Sequence, residues 1–297
     1  MKKVLKKINI FLFQENVKFE WMSFFRIAIG FLLLLHFISI LPDFNALFST
    51  KGIIPSDILD TFIPENVITF PKIITFFSSF GISEIITTIF LKITYIMLCF
   101  FLIIGFLPRV SATFLLILQI SLVKGSSFYA YGVDYFSSMS LFYLILIPSH
   151  YQYSIYTYLK RNIQTSNITP YRRLFQIHLC IAYFFSGFDK ILGFNWWNGE
   201  SIWKAINLPF ANNDFNFNFS VLAHHPILLI IIGWTTILIE MLYPIFIWIP
   251  KTRKTWLYLT ISMHLGIALI LNLYIFSAMM IIWNLTNFYN YDNKQTT

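Results

Sequence analysis

Among the ionisable side chains within apolar stretches of this sequence are Asp134, Lys190, Glu240 and His264. A charge at bilayer depth costs at least about 2.5–3.5 kcal/mol on insertion scales, so such residues serve proton transfer, ion pairing or polar packing. Counting about 1.5 Å per helical residue sorts them by depth. Asp134 and Lys190, with Asp189, fall near the outer ends of their runs, whereas Glu240 and His264 fall roughly 12–14 Å from the inner ends of two adjacent runs. Asp189 and Lys190 are sequence neighbours and cannot share a helical face, so Asp134 is the expected counter-ion of Lys190. Lys190 reads either as an anchor snorkelling to the water interface or as a partly desolvated lysine able to act as a base. Glu240 and His264 are expected to meet if their helix faces agree, as a packing contact, a proton relay or a ligand for a polar head. Arg26 and His178 lean towards structural roles. Lys92 lies deep in its run, with Glu84 beyond direct reach.

These residues must be positioned by membrane helices. Of 297 residues, 57% are hydrophobic, 20% aromatic and only 11% charged, whereas globular domains carry about 25% charged residues. Six runs are long enough to cross hydrocarbon as helices: roughly Phe24 to Leu41, Ile85 to Leu107, Phe128 to Ile147, Leu174 to Leu192, Pro226 to Ile249 and Trp256 to Trp283. A seventh, Val110 to Val123, is short and spans with its flanks, while Val67 to Phe80 reads as interfacial. The last run exceeds one span and is expected to tilt, or to break near Gly266 or Asn272. The fold class is therefore all-α, a polytopic transmembrane bundle of about seven spans (six to eight). It comprises a basic N-terminal segment (1–22), a membrane domain (23–287) and a polar tail (288–297).

Lys2, Lys3, Lys6, Lys7 and Lys18 precede the first span. With seven spans, Arg109, then Lys160, Arg161, Arg172 and Arg173, then Lys251, Arg253 and Lys254 join them on one side. The positive-inside rule makes that side cytoplasmic, giving a multi-pass protein of the cell membrane with its N-terminus inside. No small-residue cleavage site follows Leu41, so the first span reads as an uncleaved anchor. Trp196, Trp197 and Trp203 fall where an aromatic belt belongs.

The formal charge of +8 does not indicate nucleic acid, because the basic residues are spread between apolar runs rather than gathered on one face. No phosphate-cradling glycine loop occurs and no His/Cys cluster has metal spacing; His224 and His225 read as interfacial. Cys99 and Cys180 lie in apolar runs as small buried hydrophobes.

Three ordered segments resemble a known family. Phe25-Arg26-Ile27-Ala28-Ile29-Gly30 with Lys51-Gly52-Ile53-Ile54-Pro55 resembles the opening of the HTTM domain, the membrane region shared with vitamin K-dependent gamma-carboxylases. Tyr183 to Leu192 followed by Trp197-Asn198-Gly199 is similar to that family's Gly-x-x-Lys-Leu helix end and Trp-x-x-Gly, and His264 through Phe276-Ser277 to its last hydrophobic region. The resemblance implies that Lys190 is the base and that Glu240 is the acid before the final spans. Tyr131-Gly132-Val133-Asp134 stands where the carboxylases carry a His, and the large lumenal region that grips their protein substrate is absent. The short bacterial branch that includes the sporulation-delaying protein B family is closer. It implies modification, maturation or export of a small secreted peptide, and with the resemblance the intramembrane Asp134, Lys190, Glu240 and His264 are the expected site residues. Two other readings stay open: a quinone-dependent carboxylase or oxidase, with a quinone as cofactor and a separate soluble partner presenting the substrate, and a proton-coupled transporter or membrane scaffold.

Overall fold

The structure, a computed structural model, describes residues 2–14, 20–147, 153–159 and 167–289. Every regular element among them is helical. The principal helices are α1 (Lys2–Phe13), α2 (Glu20–Ile40), α3 (Phe70–Ser78), α4 (Glu84–Ile104), α5 (Pro108–Gly125), α6 (Gly132–Leu146), α7 (Thr169–Leu192), α8 (Pro226–Phe246), α9 (Pro250–Leu271) and α10 (Tyr274–Asn284), with short helical turns between. Four are long and apolar enough to cross a membrane: Trp21–Ile40 within α2, together with α4, α8 and α9. Their outward faces carry large apolar side chains, such as Ile85, Ile89, Phe90 and Ile93 along α4. Water would penalise that surface and lipid does not, so this is a membrane helical bundle. Lys18, Lys160, Arg161, Lys294 and the tail beyond residue 289 lie outside the described residues.

Contacts divide the chain into two compact units, one of residues 19–166 and the other of residues 167–297 with residues 1–18. In the first, α2 lies along α4. Gly30 permits this approach, since a Cβ there would stand 2.9 Å from Ile103 Cγ1. The fully buried Arg26 donates to the carbonyls of Leu102 at 2.8 Å and Ile103 at 3.0 Å, and to Tyr153 at 2.6 Å. It thereby satisfies the Ile103 carbonyl, which the end of α4 leaves open, and shares the Leu102 carbonyl with Gly105 N. Gly105 ends α4 in the left-handed conformation at φ 72°, which glycine adopts without a Cβ penalty. Arg26 is therefore an internal cap rather than a surface anchor. α5 and α6 pack along one another, and α3 buries Phe70, Pro71 and Ile74 on one face.

In the second unit α7 pairs with α8 and α9 with α10. The basic N-terminal segment is folded as α1, held by Arg173 Nε donating to Phe11 O at 2.9 Å and by the Arg173 guanidinium 4.5 Å from the Phe11 ring. Arg253 donates to the carbonyls of Ile247 and Trp248, just past α8. The last apolar run breaks at Asn272, which adopts φ 55° between α9 and α10. Asn tolerates that left-handed geometry better than other side-chain-bearing residues. Its Nδ2 donates to Phe210 O at 2.9 Å, and Asn212 N donates to Ile270 O at 2.7 Å, so the break is tied to the preceding loop.

Candidate functional site

On α7 the residues Tyr183, Ser186, Gly187 and Lys190 recur at three- and four-residue intervals and so share one face. That face meets α8 closely because Gly187 has no side chain. A Cβ there would lie 2.7 Å from Met241 Cγ and 2.8 Å from Met241 N. Small residues let membrane helices approach in this way. The approach carries Lys190 to Glu240, with Nζ 2.7 Å from Oε2. Nζ also donates to Ser186 Oγ at 2.7 Å and Ser186 O at 3.4 Å, and lies 5.3 Å from the Trp196 ring centre. The Lys190 side chain is 19% exposed and that of Glu240 8%. Among the described residues no other Lys–carboxylate pair is so deeply enclosed.

A second polar group is built from the same face of α7. Tyr243, three residues after Glu240 on α8, donates its hydroxyl to Asn284 Oδ1 at 2.7 Å. Asn284 Nδ2 donates to Tyr183 Oη at 2.7 Å and to Met280 O at 2.8 Å. The Tyr183 hydroxyl stands 2.8 Å from His264 Nε2. The Tyr183 oxygen accepts from Asn284, and which of Tyr183 and His264 donates to the other depends on the imidazole tautomer. The bonds link Tyr243 through Asn284 and Tyr183 to His264. His264 Nδ1 is buried and has no hydrogen-bond partner among the described residues. The rings of Tyr183 and Tyr243 lie 4.3 Å apart, so the ion pair and the chain share α7 and α8, while α9 and α10 add His264 and Asn284 to the chain.

Two expected pairings are corrected by this geometry. Lys190 takes Glu240, and not Asp134, as its carboxylate. Glu240 likewise meets Lys190 rather than His264, whose partner is Tyr183. Depth counting failed here because a lysine side chain reaches several ångströms along its helix. Asp134 instead accepts from Tyr131 N at 3.0 Å, reaching back over the first turn of α6 as an acid at a helix N-terminus does. Lys92 donates to Asn45 Oδ1 at 3.2 Å and lies 4.6 Å from the Phe44 ring centre, while Glu84 accepts from Thr50. Cys99 and Cys180 are free and buried.

Tyr183, Tyr243 and Asn284 had no place in the sequence reading. The detectable signal was the three- and four-residue spacing that puts Tyr183, Ser186, Gly187 and Lys190 on one face and Glu240 with Tyr243 on another. No protein-family model, curated protein or solved structure matches this chain.

Proposed function

We propose that the chain is an HTTM-like multi-pass protein of the cell membrane, with about seven spans and a cytoplasmic N-terminus. It takes part in the modification, maturation or export of a small secreted peptide, with the Lys190–Glu240 pair as its working centre. The observation that carries this reading is a lysine–carboxylate pair enclosed between two apolar helices. A pair in such surroundings is costly to build and often no more stabilising than apolar residues of similar size, which favours a working role over a packing one. The three segments resembling the HTTM family supply the class of substrate, and the spread of Lys and Arg supplies the orientation.

The pair works by exchange. Lys190 donates to Glu240 and Ser186. A carboxylate on the peptide replaces Glu240 at Nζ, or an amine replaces Lys190 at Glu240, as an exchange of ion-pair partners with no covalent bond made or broken. Lys190 Nζ is engaged by Ser186 and Glu240, so a quinol hydroxyl would have to displace one of them to reach it.

The reading is tested by mass spectrometry of secreted and membrane-bound peptides from cells carrying the wild type, a deletion, or a Lys190→Gln variant of verified expression. The same altered peptide in both mutants is the expected result, and a normal profile in Lys190→Gln overturns the assignment. A second reading, proton-coupled transport, is favoured by the chain of hydrogen bonds that links Tyr243 to His264. It requires proton-linked uptake in liposomes that Tyr183→Phe abolishes.

A further inference from the structure

The unit of residues 19–166 contains a cavity of about 110 Å³ bordered by α2, α4, α5 and the first turn of α6. Its walls include the aromatic residues Phe37, Phe48, Tyr95 and Tyr131, and its polar lining includes His36, Gln119 and Asp134. Asp134 is the one carboxylate there, and no Lys or Arg lines the cavity. One of its oxygens, Oδ2, is used by Tyr131 N. Among the described residues no Lys, Arg or His nitrogen comes within ion-pair distance of either oxygen. Gln119 is 1% exposed, and its Oε1 is taken by the Tyr95 hydroxyl at 2.7 Å. Its amide N–H groups have no partner among the described residues.

A carboxylate without a counter-ion, enclosed by aromatic rings, is the chemistry that selects organic cations, through Coulomb attraction and the negative faces of the rings. The unpaired amide donors of Gln119 ask for an oxygen on the same ligand. The volume is below the roughly 150 Å³ that admits benzene, so it takes a short aliphatic head and not an aromatic ring. We infer that this cavity binds a small organic ammonium of the ethanolamine class, with Asp134 holding the ammonium and Gln119 the oxygen. The ligand is either a free amino alcohol or the head of an ethanolamine lipid. This site is independent of the Lys190–Glu240 reading.

The test is the melting temperature of the purified full chain with two probes: ethanolamine hydrochloride added in detergent, and nanodiscs of phosphatidylglycerol with or without phosphatidylethanolamine. Stabilisation by the free amine alone identifies a soluble ligand, and stabilisation in the ethanolamine-lipid discs alone identifies the head group. Asp134→Asn keeps an oxygen for the Tyr131 N–H and removes the charge, so its ethanolamine affinity is expected to fall at least tenfold. Ethylene glycol, the uncharged analogue, should not stabilise the wild type. The proposal is overturned if neither probe raises the melting temperature, if ethylene glycol acts as strongly as ethanolamine, or if Asp134→Asn binds as the wild type does.

Discussion

At Lys190 the geometry ties stability to charge. Removing one partner of an enclosed ion pair leaves the other uncompensated, at a cost of about 3–5 kcal/mol. Glu240→Gln and Lys190→Gln are each expected to lower the free energy of unfolding in detergent by that order. Lys190→Met combined with Glu240→Leu, which removes both charges, should recover most of the loss and still lack function. A double variant no more stable than the singles would show that the pair is not the source of the loss. The ionisable residues of this site were legible in the sequence because charges in apolar runs are conspicuous. Their pairing was not, since depth was counted along the helix axis and Gly187, which sets the approach of α7 to α8, carries no side chain to mark its part. Tyr183 and Tyr243 were hidden for a different reason: tyrosine counts among the hydrophobic residues, and its hydroxyl matters only when a partner is in place, while Asn284 stands just past the end of the last apolar run.

At the scale of elements, two helix ends depend on single residues. Arg26→Leu leaves the Ile103 carbonyl without its donor and the Leu102 carbonyl with only Gly105 N, and an unpaired buried group costs about 1–3 kcal/mol. A loss of several kcal/mol is expected in thermal unfolding, with hydrogen exchange rising at the end of α4. Stability within about 0.5 kcal/mol of wild type would place the guanidinium outside the folding energetics. Between α9 and α10, Asn272→Ile forces a β-branched residue into a left-handed conformation at about 1–2 kcal/mol, whereas Asn272→Gly should be tolerated. Equal effects of the two would mean that the Asn272 side-chain bond to Phe210 O, and not backbone strain, governs the break. That break was readable as one of two positions in an overlong apolar run. The capping role of Arg26 was not, because a basic residue near a span end reads equally as a topology signal.

For the whole molecule, composition and run length were enough to recognise an all-helical membrane protein. The number of spans is harder to read, because α7 carries Arg172, Arg173 and Gln176 as buried residues and α5 carries Gln119, each lowering an average that their hydrogen bonds have already answered. The proposed orientation makes a direct prediction. Cys99 and Cys180 are buried, so an impermeant maleimide should label cysteines introduced at exposed sites against a quiet background. Lys204→Cys should label in intact cells and Lys6→Cys only after permeabilisation; labelling of both from the same side would contradict the topology. The central claim, that the Lys190–Glu240 pair works on a secreted peptide rather than merely holding two helices together, is tested most directly by reversing the pair. Cells carrying Lys190→Glu with Glu240→Lys, at wild-type protein levels, are compared with the wild type and the deletion by mass spectrometry of their secreted peptides. The account predicts a folded protein whose peptide profile matches the deletion, and a wild-type profile would contradict it.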